Sequence, residues 1–158
     1  MVFVGGADGL AQALAKSKEG AMATVSQMLE SHPRRPQRNL DVISACVEAC
    51  FQCSATCAIC ADACLAEDSV RDLVRCIRLN LDCAAICDAT GHMVARMSEP
   101  DATMLHRQLE ACMDACRVCA EECEKHASHH EHCRLCAEEC RRCEAACQQL
   151  LQTMTVAA

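Results

Sequence analysis

The chain has 158 residues, a net charge of −7, 1% aromatic side chains, 18 Cys, 5 Gly and 3 Pro. That length suits one compact domain, and the acidic balance argues against a nucleic-acid partner, because phosphate binding needs a clustered Lys/Arg surplus. With two Phe and neither Trp nor Tyr, the rings that usually fill a core are missing. So few Gly and Pro favour long helices over a loop-rich disulfide scaffold.

The region from Gly9 to Ser31 reads as a Cys-free helix through Leu10, Leu14, Val25 and Leu29. Pro33 and Pro36 part it from the remainder of the chain, and the basic run Arg34-Arg35-Pro36-Gln37-Arg38 reads as a solvated linker. Residues 1–38 are therefore taken as an extension and linker, and residues 39–154 as the main unit. The opening Met1-Val2-Phe3-Val4 is too short for a signal peptide's apolar region. No stretch is expected to reach the ~18 apolar residues of a membrane span. A cytoplasmic location is therefore expected, where thiols stay reduced.

Four Cys-bearing helices come next. The first runs from Asn39, a good N-cap, to Leu65. The second starts after Ser69, with Asp72 completing a capping-box-like pair, and ends near Arg96. In the third, Ser98 is the expected cap, Pro100 sits in the first turn, and the helix continues to His126. The fourth starts at Ser128, with Glu131 completing a capping box, and ends near Thr153. Short connections make sequential neighbours antiparallel. The expected fold is all-α, an up-down-up-down four-helix bundle with an additional N-terminal helix.

The cysteines hold one register. Cys46, Cys50, Cys53, Cys57, Cys60 and Cys64 step by four and three alternately, an unbroken heptad seam. The fourth helix repeats it with Cys133, Cys136, Cys140, Cys143 and Cys147, and the third carries Cys112, Cys116, Cys119 and Cys123. The second is sparser, with Cys76, Cys83 and Cys87, and Asn80 at the vacant seam position. Cys packs well as a small hydrophobe, but pure packing would select Leu and Ile for so many inward positions. The seam points to metal.

Neighbours three or four apart on a helix have Cβ atoms roughly 5–6 Å apart, a span suited to two thiolates flanking one ion. Soft thiolates select Cu(I), Zn or iron–sulfur clusters. Cu(I) accepts two or three bridging sulfurs, so a continuous ladder fills along its length, whereas Zn wants closed tetrahedra. One monovalent ion per displaced thiol proton also leaves the core neutral, and burying bare thiolates would be costly. Iron–sulfur motifs place their Cys on turns, while the CxxC units here lie inside helices. Multinuclear Cu(I), about one ion per Cys, is the reading. A zinc- or cadmium-buffering thiolate protein is the alternative; a disulfide-exchange protein and a plain interaction scaffold are further ones. No catalytic constellation is evident.

The runs Cys46–Cys64 and Cys133–Cys147 make the chain resemble the cytosolic copper storage proteins, over about Asn39 to Thr153. That resemblance implies reversible storage of many Cu(I) ions, no catalysis and assembly into a homotetramer. Copper ions are the expected partner, with a copper chaperone as candidate donor, and no membrane is involved.

Antiparallel topology assigns the bundle ends. Cys46, Cys87, Cys112 and Cys147 share one, beyond which Ile43, Val94, Leu105, Leu109 and Leu150 form an apolar plug. Cys64, Cys76, Cys123 and Cys133 share the other, where His126, His129 and His130 are the expected copper mouth, with His132 ranked behind them. The rival mouth is the group His92, Met93, Met97, Met104 and His106 at the plug end. Val47, Phe51, Val74, Ile77 and Leu81 add apolar surface outside the seam, for the N-terminal helix or a subunit interface.

Overall fold

The computed structural model describes residues 24–155. The expected N-terminal helix falls partly outside them, with Leu10 and Leu14. Within them, residues 24–30 are helical (α1); Leu29 of this helix is buried and Val25 packs on the bundle core. Four long helices succeed it: α2 (Leu40–Leu65), α3 (Val74–Ala95), α4 (Ala102–His126) and α5 (Glu131–Thr155). Helix α2 packs on α3 and α5, and α4 packs on the same two, which closes the square of an antiparallel bundle.

Helix α2 starts where expected but without the expected side-chain cap, and the later helix starts differ for local reasons. Asn39 adopts a left-handed conformation (φ 62°) and makes no side-chain cap. Its carbonyl still accepts the first helical bond, from Ile43, and Asn tolerates that region better than most residues. After Ser69 the chain makes a turn of 3₁₀ helix, Val70–Leu73, before α3 begins, and Ser69 caps nothing. Helix α4 is capped by Asp101, whose carboxylate accepts from the Met104 amide at 2.8 Å, and not by Ser98. A carboxylate suits the positive end of the helix dipole. Helix α5 starts at Glu131 with the His130 carbonyl taking the first bonds, three residues later than expected.

Helix α2 is long and apolar enough to cross a bilayer by length and composition, which corrects the expectation that no stretch would be. Its apolarity has another use here, since its buried line of Cys faces the other helices. At one point α2 and α3 approach unusually closely. A Cβ on Gly91 would stand 3.0 Å from the Phe51 ring and 3.3 Å from Cys50 Cβ, so an added methyl would press on both.

Candidate metal centre

All eighteen cysteines are buried and none is disulfide-bonded. The heptad stripe explains this: on each helix the Cys positions form the side facing the bundle axis. Sulfurs on opposite helices meet directly. Near the plug, Cys46 and Cys50 each lie 3.8 Å from Cys147, which lies 3.8 Å from Cys112. In the middle, Cys57 is 3.5 Å from Cys140 and Cys87 is 3.5 Å from Cys116. Toward the other end, Cys76 is 3.6 Å from Cys123.

Sets of four sulfurs lie within 4.8 Å of one another, and consecutive sets share members. Cys143 belongs both to the set with Cys50, Cys112 and Cys147 and to the set with Cys53, Cys87 and Cys116. Cys53 passes on to the set with Cys57, Cys83 and Cys140, and Cys57 and Cys140 pass on to the set with Cys119 and Cys136. With metal–sulfur bonds of about 2.3 Å, sulfurs around a trigonal ion sit about 4.0 Å apart, and around a tetrahedral one about 3.8 Å. Spacing thus admits either geometry. The sharing of corners is what favours ions bridged by common thiolates.

Protons are unevenly distributed in this core. A buried thiolate survives only where neighbouring S–H groups donate to it. Cys46 accepts chiefly from Cys147 and then Cys50, and is pulled down to about 5 against its burial. Cys116 is pushed far up, first by Cys112 and also by Cys53 and Cys83, while those last two are pulled down, each chiefly by Cys116. Filling the core with cations therefore means expelling the protons that donors such as Cys116 retain.

Asn80 interrupts the ladder. It is fully buried, and its amide nitrogen donates to the Cys76 carbonyl at 2.9 Å and approaches the Cys76 and Cys123 sulfurs at 3.3 and 3.5 Å. Its oxygen accepts from Cys136 at 2.9 Å and Cys119 at 3.5 Å. One amide thus meets four thiols, Cys76 and Cys123 through its nitrogen and Cys119 and Cys136 through its oxygen.

Beyond the set Cys60, Cys64, Cys76 and Cys133 the structure revises the expected mouth. His132, ranked last from sequence, is the imidazole against the thiols: its Nδ1 is 3.5 Å from Cys60 and Cys133 and 4.0 Å from Cys64. Its Nε2 meets the Glu67 carboxylate at 3.1 Å, as does His130 Nδ1. Donation from Nε2 to Glu67 leaves the Nδ1 lone pair facing the sulfurs. His130 sits one shell out, its ring 5.4 Å from that of His132. His126, at the end of α4, has a buried Nε2 without a hydrogen bond, 3.5 Å from Glu122. His129 is exposed in the turn before α5, and its ring bonds to no thiol. The reason is the late start of α5: residues 127–129 form a turn, so the heptad register does not extend back to His129. Glu67 went unnoticed, although it lies three residues beyond Cys64 on the same register.

The opposite end is closed. Val94, Leu109 and Leu150 are buried there, with Ile43 and Leu105 half-buried beside them. Of the rival group, His92 is exposed, lies 3.9 Å from Asp88 and stacks edge-on against Phe51. His106 faces Glu110 at 3.5 Å, and Met93 and Met104 flank a surface recess. None of these four reaches a thiol by a hydrogen bond. Val47 proves to be core, and Phe51 and Ile77 pack against it, while Val74 and Leu81 are exposed.

Comparison with known proteins agrees with this geometry. Over 106 residues, 67% of this chain and 93% of the relative, it is 35% identical to a protein of Bacillus subtilis described as the uncharacterized cysteine-rich protein YhjQ. Its structure resembles the copper storage protein Ccsp of Streptomyces lividans loaded with 10 copper equivalents, with 43% identity, a TM-score of 0.79, and coverage of 81% of this chain and 98% of that one. It also resembles the cytosolic copper storage protein of Streptomyces lividans carrying five coppers, with 47% identity, a TM-score of 0.70, and coverage of 71% and 93%. Residues 39–152 match the family described as copper storage protein. The cysteine-lined bundle, the likeness to solved copper-loaded bundles and that match together place this chain in the copper storage protein family, whose role is storage and not catalysis.

Proposed function

We propose that the chain stores copper as Cu(I) on all eighteen cysteines, at about one ion per thiolate, and is filled from the histidine end. The observation that carries this reading is the chain of corner-sharing four-sulfur sets along the bundle axis. Separate tetrahedra for Zn would use 18 sulfurs for about four ions and leave a large residual negative charge in the core. One monovalent ion per thiolate leaves none. Entry runs past His130 and His126 to His132, whose free Nδ1 hands the ion to Cys60, Cys64 or Cys133. The cytosol is the supported location, because the core thiols are unpaired and a similar storage protein is cytosolic. A homotetramer fits the exposed Val74 and Leu81 on α3, and a copper chaperone is the donor.

The deciding experiment is anaerobic titration of the reduced protein with Cu(I) against a competing chelator. A break near one equivalent per cysteine is expected. A break near four, with zinc resisting displacement, would overturn the Cu(I) ladder.

A further inference from the structure

The closed end carries a second site that copper does not explain. A pocket of about 320 Å³ opens there, floored by Ile43, Val94, Leu105 and Leu150. Its wall includes Arg34 and Arg38 from the linker and Arg96 from the α3–α4 connection. The basic run that reads as a solvated linker is thus folded over the bundle end, and brings two of its arginines beside a third from a distant stretch of chain. Arg34 is engaged by Glu99 at 2.5 Å. Arg38 and Arg96 have no ion pair or side-chain hydrogen bond among the described residues.

We propose that this pocket binds a free amphipathic carboxylate, its apolar tail on the floor and its head group at Arg38 and Arg96. The volume lies at the small-molecule end of roughly 300–1,000 Å³, so a short tail fits and a helix does not. Guanidinium groups offer paired donors matched to a carboxylate, and in a chain of net charge −7 two unmatched cations at one apolar opening select for an anion. Neither half of the pocket suffices. The floor alone would take any alkyl chain, and exposed arginines alone would take any anion weakly. Occupancy would tie the linker to the α3–α4 connection and, through Met154, to the end of α5. The site lies at the end of the bundle away from His126, His130 and His132, so it acts independently of copper loading.

The test is calorimetric titration of the full reduced chain with decanoate, decanol and decyltrimethylammonium. Decanoate is expected to bind at one site, about tenfold or more tighter than either comparator. Replacing both arginines (Arg38→Gln with Arg96→Gln) is expected to lower decanoate affinity about tenfold while leaving the copper equivalents bound unchanged. Equal binding of decanol, retention of affinity in the double variant, or no binding of decanoate would each overturn the proposal. Copper stoichiometry is a separate readout, so a failed storage reading would show itself independently.

Discussion

The two ends of the bundle close one cysteine seam with opposite chemistry. Past Cys46 and Cys147 the inward positions become Leu109, Leu150 and Val94; past Cys64 and Cys133 they give way to His132, Glu67, His130 and His126. An apolar end excludes a hydrated ion because no group replaces its water. A polar end supplies imidazole nitrogens at the point where water is shed. The heptad register carries the apolar wall, whereas the polar door is built where the helices stop: Glu67 follows α2, His130 precedes α5 and His132 lies in its first turn. On the proposed route of entry, the sulfurs nearest the histidines would fill first and those against the wall last.

The largest effect is expected from breaching the wall. Leu109 is fully buried, and Leu109→Ala should destabilise the metal-free protein by about 2–5 kcal/mol. Thermal denaturation of the reduced chain reads this as a drop of about 2–4 °C per kcal/mol. Loading rate should be unchanged. Faster loading would mean that the wall had become a second door and would break the comparison. At the door, His132→Ala should slow Cu(I) uptake about tenfold, a typical outer-shell loss, with the final number of ions unchanged. Stopped-flow transfer from a chelator measures it; an unaltered rate would remove His132 from the path.

Acid should sharpen the contrast more gently. Cys64, beside the door, is pushed up by burial even though Cys133 and Cys76 draw it down, and Cys133 is raised mainly by Cys123. Such thiols keep their protons at neutral pH, so an entering ion must displace them, and affinity falls as pH falls. Cys46, pulled down chiefly by Cys147, has less proton to lose at neutral pH. Between about pH 8 and about pH 6, chelator competition should show copper affinity falling by up to about tenfold per unit for each proton displaced. Cys64→Ala should flatten that slope, and Cys46→Ala should leave it.

Much of this was legible in the sequence. The eighteen sulfurs fall where the heptad stripe puts them because helices long enough to hold a register carry their periodicity straight into the packing. Cys46 meets Cys147 and Cys76 meets Cys123 as antiparallel order requires. What failed to transfer lay where the helices stop. His129 sits in a turn, outside the period that placed it at the mouth, and His132 reaches α2 sideways from the first turn of α5. Asp101 displaced Ser98 as a cap because the α4 start shifted past Pro100. Turns obey local hydrogen bonding and not a period. The role of Arg38 and Arg96 was invisible for a different reason: only the tertiary fold brings the linker over the bundle end.

The smallest effect is expected at Glu67, and it tests whether the door is held in position or merely lined with histidines. The carboxylate bridges His132 and His130 at 3.1 Å each, and His132 foremost, then His130, holds its carboxyl below the usual range. A group depressed in the folded state contributes stability above its unfolded value and loses it as pH falls through the folded one. Glu67→Gln should therefore lower the melting temperature slightly at neutral pH, with the two proteins converging below about pH 4, the modest size reflecting a half-exposed carboxylate in water. The amide can still accept from Nε2 but carries no charge to fix which nitrogen holds the proton. Uptake should slow less than in His132→Ala, and the two changes together should be no slower than His132→Ala alone, because Glu67 acts through that ring. Additive slowing would mean that Glu67 contacts the ion itself.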